Sequence, residues 1–417
     1  MNILEGVRVV EVATWTFVPA CGAVLADWGA DVVKVEHPVT GDPQRGLMMS
    51  GMVGDGAQSS VNFIMETPNR GKRSIGVDIS SDAGREVLLQ LVAEADVFIT
   101  SFLPESRRKL RIDVDDLRAV NPRLIYARGH GQGVRGDEAG NGGYDTTSYW
   151  ARSGLANFFT PASGDGATST STSTSTSAYP PFHSPAIGDL TSGQTLAGGI
   201  AGALFHRERT GEASVVDVSL LSVGLWSMAP GIVASRLFDI DDLPQSQHAE
   251  MMNPLTNFYR TKDGRHLTLI MLEGDRYWAP VCKAIGRPEL ADDPRFSTFA
   301  ARAENRGECI ALLDEVFASR TLDEWIAALD GVAVWGPVRT AREVHDDPQA
   351  LANGYLPEVD AGDGTTFRLV ATPVQYDEAP ITPVRSPEHG QHTEQILLDL
   401  GYDWPVILAL KDSGVVL

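Results

Sequence analysis

Short β-branched runs alternate with helical patterns through the first 130 residues, and that alternation constrains the fold more than any other feature. Val7-Arg-Val-Val-Glu-Val12 reads as a strand, and Pro19 suits the first turn of a helix running to about Trp28. Asp31-Val-Val-Lys-Val35 is the next strand. The pattern repeats as a strand near Ser74–Val77, a helix from about Asp82 to Ala93 and a strand at Val97–Thr100. A helix near Val114–Val120 and a strand at Leu124–Ala127 follow, and Val215-Val-Asp-Val218 adds a strand leading into a helix through Leu225. Such alternation predicts an α/β fold, a mostly parallel sheet covered by helices on both faces. A dinucleotide does not explain it. The first strand-to-helix turn, Thr14-Trp15-Thr16-Phe17-Val18-Pro19, lacks the glycines that let a backbone approach a pyrophosphate, and Glu36 alone does not replace them.

The rest of the chain is organised differently. Residues 226–250, with Pro230 and the acidic Asp239–Pro244 run, read as a connection. Phe258–Ile270 reads as a hairpin turning at Asp263-Gly264, and helices follow around Trp278–Ile285, Ala301–Ser319 and Leu322–Leu329. The predicted division is therefore a large domain over 1–225, a linker over 226–250, a small α+β domain over 251–345 and a C-terminal segment over 346–417. Thr168–Ser177 is a strict Thr-Ser alternation with no apolar face to bury, so it reads as a flexible surface insertion.

Charge and composition exclude several functions. A net charge of −21 argues against non-specific binding to nucleic acid or an anionic membrane. Twelve of the 34 Lys and Arg residues nevertheless fall between Arg70 and Arg135, a basic island in an acidic protein. Cys21, Cys282 and Cys309 are too few and too scattered for a disulfide framework or a zinc site, which suits a reducing cytoplasm. The N-terminus has no basic n-region and no apolar h-region, and no stretch reaches the length of an uncharged membrane span. The nine histidines include no HExxH-like spacing, so no metal site is expected.

Asp189 is the residue with the most chemical promise. It stands in Pro185-Ala-Ile-Gly-Asp-Leu-Thr-Ser-Gly193, beside a glycine and ahead of a small-residue helix carrying Gly193, Ala197 and Ala201 on one face. Two readings are open from this segment: a cap for a helix beginning at Leu190, or a nucleophile toward an activated acyl group.

Longer motifs in chain order bear on that choice. Leu25-Ala-Asp-Trp-Gly-Ala-Asp-Val-Val-Lys-Val-Glu-His-Pro38, Asn69-Arg-Gly-Lys-Arg-Ser-Ile75, Asn121-Pro-Arg-Leu-Ile-Tyr126, Gly188-Asp189 and Tyr259-Arg-Thr-Lys-Asp-Gly-Arg265 resemble the family III CoA transferases. Gly336-Pro-Val338 and Asp347-Pro-Gln349 extend the match over essentially the whole chain. The resemblance implies a Rossmann-like CoA-binding domain, an interlocked homodimer and a C-terminal segment returning to the large domain. It implies an enzyme moving CoA between an acyl-CoA and a carboxylic acid, with no prosthetic group and with CoA thioesters as substrates. In that family the aspartate matching Asp189 is the covalent nucleophile. Related racemases carry a His-Asp pair where this chain has Tyr144-Asp145, and a tyrosine is a poor base at neutral pH, so the transferase pattern fits better. Tyr144 and Asp145 are then expected to position substrates around Asp189. By the same resemblance Thr14, Trp15, Thr16, His37, Arg73, Lys109 and Leu110 are expected to contact CoA. The chain departs from the family at Ser101-Phe-Leu-Pro-Glu105, where a basic residue is missing that Arg107 or Arg108 would have to replace, and at Met251-Met-Asn-Pro-Leu255, where a glycine-rich lid is absent. A 2-methylacyl-CoA racemase and a non-catalytic CoA-binding protein are the alternatives.

Overall fold

The computed structural model describes residues 2–47, 59–160, 179–241, 243 and 247–417. The Thr168–Ser177 tract lies outside the described residues. The chain divides into two compact units, Met1–Leu243 with Pro348–Leu417, and Pro244–Asp347.

The first unit is built on a six-stranded sheet: β1 (Arg8–Val12), β2 (Asp31–Glu36), β3 (Arg73–Gly76), β4 (Val97–Thr100), β5 (Ile125–His130) and β6 (Val215–Ser219). Its order is β3-β2-β1-β4-β5-β6, and every pairing is parallel, as the alternation predicts. Short runs rich in Val and Ile mark β1, β2, β4 and β6, which is what makes them legible. One face is covered by α1 (Phe17–Asp27) and α3 (Ile187–Thr210), whose apolar residues join Val9, Val32, Ile99 and Ala127 in one core. The other is covered by α2 (Asp82–Ala93) and by the C-terminal helices Thr393–Asp399 and Trp404–Asp412. Leu417 lies beside the sheet edge, its N–H donating to the Gly76 carbonyl.

Close approach of α1 and α3 depends on a missing side chain. A Cβ on Gly193 would lie 2.8 Å from both the Ala20 methyl and the Phe17 carbonyl oxygen. With Ala197 fully buried one turn later, the smooth face predicted for this helix packs against α1.

Several boundaries differ from expectation. Helix α3 begins at Ile187, not Leu190. Residues Ala301–Ser319, read as one helix, form two, Phe299–Glu304 and Arg306–Phe317, broken at Asn305. The helix Phe63–Asn69, which holds Pro68 within it, is additional to the predicted elements. Within 226–250, Ala229–Leu237 is helical and meets the preceding helix Leu220–Ser227 at a 66° bend. Trp226, Leu237 and Phe238 on this bent pair are exposed. Among the described residues no single helix is long and apolar enough to cross a membrane. The second unit carries the antiparallel strands β7 (Thr256–Arg260), β8 (His266–Ile270) and β9 (Trp335–Pro337) with helices around a core that includes Trp278, Phe317 and Trp325.

Behind the end of β1 lies a cluster of charges with no solvent contact. Lys34 reaches Glu11 at 3.0 Å and Asp42 at 2.9 Å, and Lys72 reaches the other Glu11 oxygen at 2.7 Å. All of these side chains are 0% exposed. Burial alone would lower the Lys34 ammonium, but Glu11, Asp42 and Glu36 outweigh it and hold it above the ordinary lysine range. Burial lowers Lys72 to about 8 against the pull of Glu11. Removing one member of such a cluster strands the others. Lys34→Met should therefore cost about 3–5 kcal/mol in urea-induced unfolding, although methionine fills nearly the same volume. A loss under about 1 kcal/mol would show that the cluster relaxes without its cation.

Candidate active site

A parallel sheet of this order has a crevice where neighbouring strands send their connections to opposite faces, here between β1 and β4. The turn after β1 and the loop after β4 meet there, with the Thr14 N–H donating to Ser101 Oγ at 3.1 Å. A cleft of about 340 Å³ opens at this point, walled by Trp15, Phe17, Phe102, Tyr144 and Leu220, with Asp189 also in its lining.

Trp15 occupies its place in a costly conformation. Its φ is +68°, left-handed for a bulky residue, which costs about 1–2 kcal/mol. Asp42 holds it there: Oδ1 accepts the Trp15 N–H at 3.1 Å while Oδ2 pairs with buried Lys34. Thr16 is fixed beside it, its hydroxyl donating to Gln44 Oε1 at 2.9 Å. The Trp15 ring then meets Tyr144 edge to face, with centroids 5.9 Å apart.

The N-terminus of α3 carries Asp189 in its first turn. Ala186 precedes the helix in the left-handed region, φ +59°, and offers no side-chain cap. The cap comes instead from Asp145, 43 residues earlier, whose Oδ2 accepts the Gly188 N–H at 3.0 Å. This corrects the sequence expectation. Asp189 lies in the first helical turn and caps nothing; Asp145 is the capping carboxylate. Asp145 itself begins a π-helical turn, Asp145–Ala151, rather than an ordinary helix. A Cβ on Gly188 would fall 2.4 Å from both Asp145 Oδ1 and Tyr149 Cγ, so only glycine admits this contact.

Two carboxylates thus share one end of α3. Burial first, and then the charge of Asp145, push Asp189 up to about 7. Burial raises Asp145 as well, opposed by His183 and by the N–H groups of Gly188 and Asp189. Asp189 accepts no hydrogen bond among the described residues and stands in the lining of the cleft.

The remaining predicted residues are placed elsewhere. His37 is exposed, with Nδ1 accepting from the N–H groups of Val39 and Thr40. Arg73 is committed to Asp31 and Asp399 at the sheet edge. Lys109 is exposed, and Leu110 packs half-buried against the second core face. Arg107 is buried, donating to the Phe102 carbonyl at 2.7 Å and pairing with Asp113, whereas Arg108 is exposed. The structure therefore brings Thr14, Trp15, Tyr144 and Asp189 to one cleft, with Asp145 behind them, and leaves His37, Arg73, Lys109 and Leu110 outside its lining.

Sequence reasoning missed Asp42, Gln44 and two histidines. His130 lines the cleft, with Nε2 3.0 Å from Asp217, a carboxylate that also takes the Arg128 guanidinium at 2.7 Å. His183 stands beside Asp145. None of the four sits in a local motif; only their partners, distant in sequence, make them visible.

The family model for CoA-transferase family III matches residues 4–393. The chain is 31% identical to (R)-2-hydroxy-4-methylpentanoate CoA-transferase of Clostridioides difficile, over 99% of each chain. It is 28% identical to cinnamoyl-CoA:phenyllactate CoA-transferase of Clostridium sporogenes, over 99% of this chain and 97% of that one. Among solved structures, a CAIB/BAIF family protein from Brucella suis superposes with a TM-score of 0.78 at 30% identity, over 96% of this chain and 100% of that one.

Gly188→Ala should push Asp145 away and lower stability by about 1–3 kcal/mol in thermal or urea unfolding. Gly198→Ala, on the exposed side of the same helix with nothing within 4 Å of the new methyl, should instead be neutral or slightly stabilising.

Proposed function

The chain belongs to CoA-transferase family III, and from that premise we propose that it moves CoA from an acyl-CoA to a carboxylic acid through covalent intermediates on Asp189. The observation that carries the reading is an open carboxylate in a cleft, at a helix N-terminus, with its pKa raised to about 7. An Asp189 oxygen attacks the thioester carbonyl carbon, the C–S bond breaks, and CoA leaves as thiolate from an acyl-aspartyl anhydride. The thiolate attacks the aspartyl carbonyl, releases the donor carboxylate and leaves an aspartyl-CoA thioester. The acceptor carboxylate then attacks that carbonyl and expels the thiolate. Attack of the thiolate on the acceptor acyl carbon yields the new acyl-CoA and restores Asp189. No proton is gained or lost overall. Each attack develops an oxyanion, which the positive end of α3 stabilises, and the aromatic wall of Trp15, Phe17 and Tyr144 limits water that would hydrolyse the anhydride.

Substrate class follows from the lining. Among the described residues it contains no Lys or Arg, so the second carboxylate of a dicarboxylic acid would be buried without a counter-charge. Monocarboxylic acids with apolar side chains fit this lining better. The pantetheine arm enters past Ser101, Leu103 and Ser106, which leaves exposed Arg108 and Lys109 on the adjoining helix to meet the phosphates. Exposed Trp226, Leu237 and Phe238 support assembly into an interlocked homodimer, in which a second chain covers them.

Asp189→Ala should abolish exchange between acyl-CoA donors and carboxylic acids, followed by mass spectrometry of both products. The wild type should form a hydroxylamine-sensitive adduct on Asp189. The attacking group is the carboxylate, so its single-turnover rate should rise with pH through about 7 rather than near 4. Exchange surviving in Asp189→Ala refutes the nucleophile. Deuterium entering the α-carbon of a 2-methylacyl-CoA without an acceptor acid would instead identify a racemase, and calorimetric CoA binding with both assays silent a non-catalytic protein.

A further inference from the structure

The loop before α3 brings a histidine against the capping carboxylate, and its surroundings assign it a task. His183 is held on three sides. Nδ1 lies 2.6 Å from the Ser184 carbonyl, so it carries a proton, and the ring meets Trp150 edge-on at 5.2 Å. The Trp150 indole N–H anchors the same loop by donating to the Pro181 carbonyl at 2.9 Å. Nε2 is directed inward, 3.2 Å from Thr146 Oγ1 and 3.5 Å from Asp145 Oδ1. Both side chains are more than nine-tenths buried.

Asp145 Oδ1 is otherwise unsatisfied. It is buried without a hydrogen-bond partner, whereas Oδ2 takes the Gly188 N–H. The charged groups facing it are His183 from the loop and Asp189 from the first turn of α3. Tyr149, the other side chain in contact, turns its hydroxyl toward Ser227 at 3.3 Å. A buried carboxylate oxygen calls for a donor, and besides the nearby Asp189 N–H the side-chain group in reach is His183 Nε2.

We propose that His183 is a positioning residue for the carboxylate pair: its imidazolium neutralises Asp145 and thereby lets Asp189 ionise beside it. In the neutral ring Nε2 has no proton and accepts from Thr146, leaving Asp145 uncompensated. In the imidazolium the Nε2 proton is available to Oδ1, and the like-charge repulsion on Asp189 falls. His183 therefore acts through Asp145 and need not touch substrate. This inference rests on the reading of Asp189 as nucleophile for its catalytic consequence, but its electrostatic part stands without turnover.

Carbodiimide labelling of Asp189, read by peptide mass spectrometry across a pH series, reports the protonated carboxyl in the free protein. In His183→Gln, which offers a neutral donor, the midpoint should move upward by roughly 0.5–1 pH unit. The kcat should fall at pH 7 with little change in KM, and raising the pH should restore part of it. His183→Ala should shift the midpoint similarly if it folds; if it does not, His183→Gln alone carries the test. An unchanged midpoint and unchanged kcat in folded His183→Gln would overturn the proposal. A shifted midpoint together with exchange surviving in Asp189→Ala would uphold the electrostatic role and reject Asp189 as nucleophile.

Discussion

The ammonium of Lys34, shared between Glu11 and Asp42 without solvent, is the contact on which the cleft depends. It ties β1 to β2 and both to the loop at Asp42, and it accounts for the backbone beyond β1. Asp42 spends one oxygen on the buried cation and the other on the Trp15 N–H. The strain at Trp15 persists because that carboxylate cannot move without stranding a charge. Buried ion pairs seldom add net stability over well-packed apolar groups of the same volume. The physical gain here is therefore geometric: a cluster that exchanges poorly with alternatives fixes a left-handed tryptophan, and that tryptophan walls the cleft beside Tyr144 and Asp189.

Local pattern made the sheet legible and left the site's wiring out of view. The strands of the large sheet announce themselves as β-branched runs, and the glycine-alanine face of α3 could be read because its packing needs only small residues at helical spacing. The start of α3 was misread for a definite reason. Its cap is a side chain 43 residues upstream, so the local sequence around Asp189 offered the wrong carboxylate for the job. Arg73 illustrates the same limit: nothing near it in sequence reveals Asp399, 326 residues away, as one of its partners. Family motifs named Thr14, Trp15, Tyr144 and Asp189, but they carried no information about the Asp42 and Gln44 supports or about His183. Those depend on tertiary neighbours that no window of sequence contains.

The two carboxylates at the end of α3 compete for the same field. The helix end and its N–H groups favour a negative charge, and Asp145 takes the hydrogen bond that the helix offers at Gly188. Asp189, one residue further on, is left with burial and a like charge, which together raise its pKa to about 7. For the proposed reaction that division is productive. A carboxylate in the ordinary range would be ionised throughout but weakly nucleophilic, and one raised far above neutrality would be protonated and inert. A pKa near 7 keeps a substantial ionised fraction at neutral pH while making that fraction more basic. After burial, the charge of Asp145 is the second contribution to that value, so a group that changes the charge of Asp145 also shifts the ionisation of Asp189. His183 is the titratable group positioned to do this, and its ring is fixed by Trp150 and Ser184 independently of any substrate. The basicity of Asp189 is therefore set without any ligand, in the packing between a loop, a π-turn and the first turn of a helix.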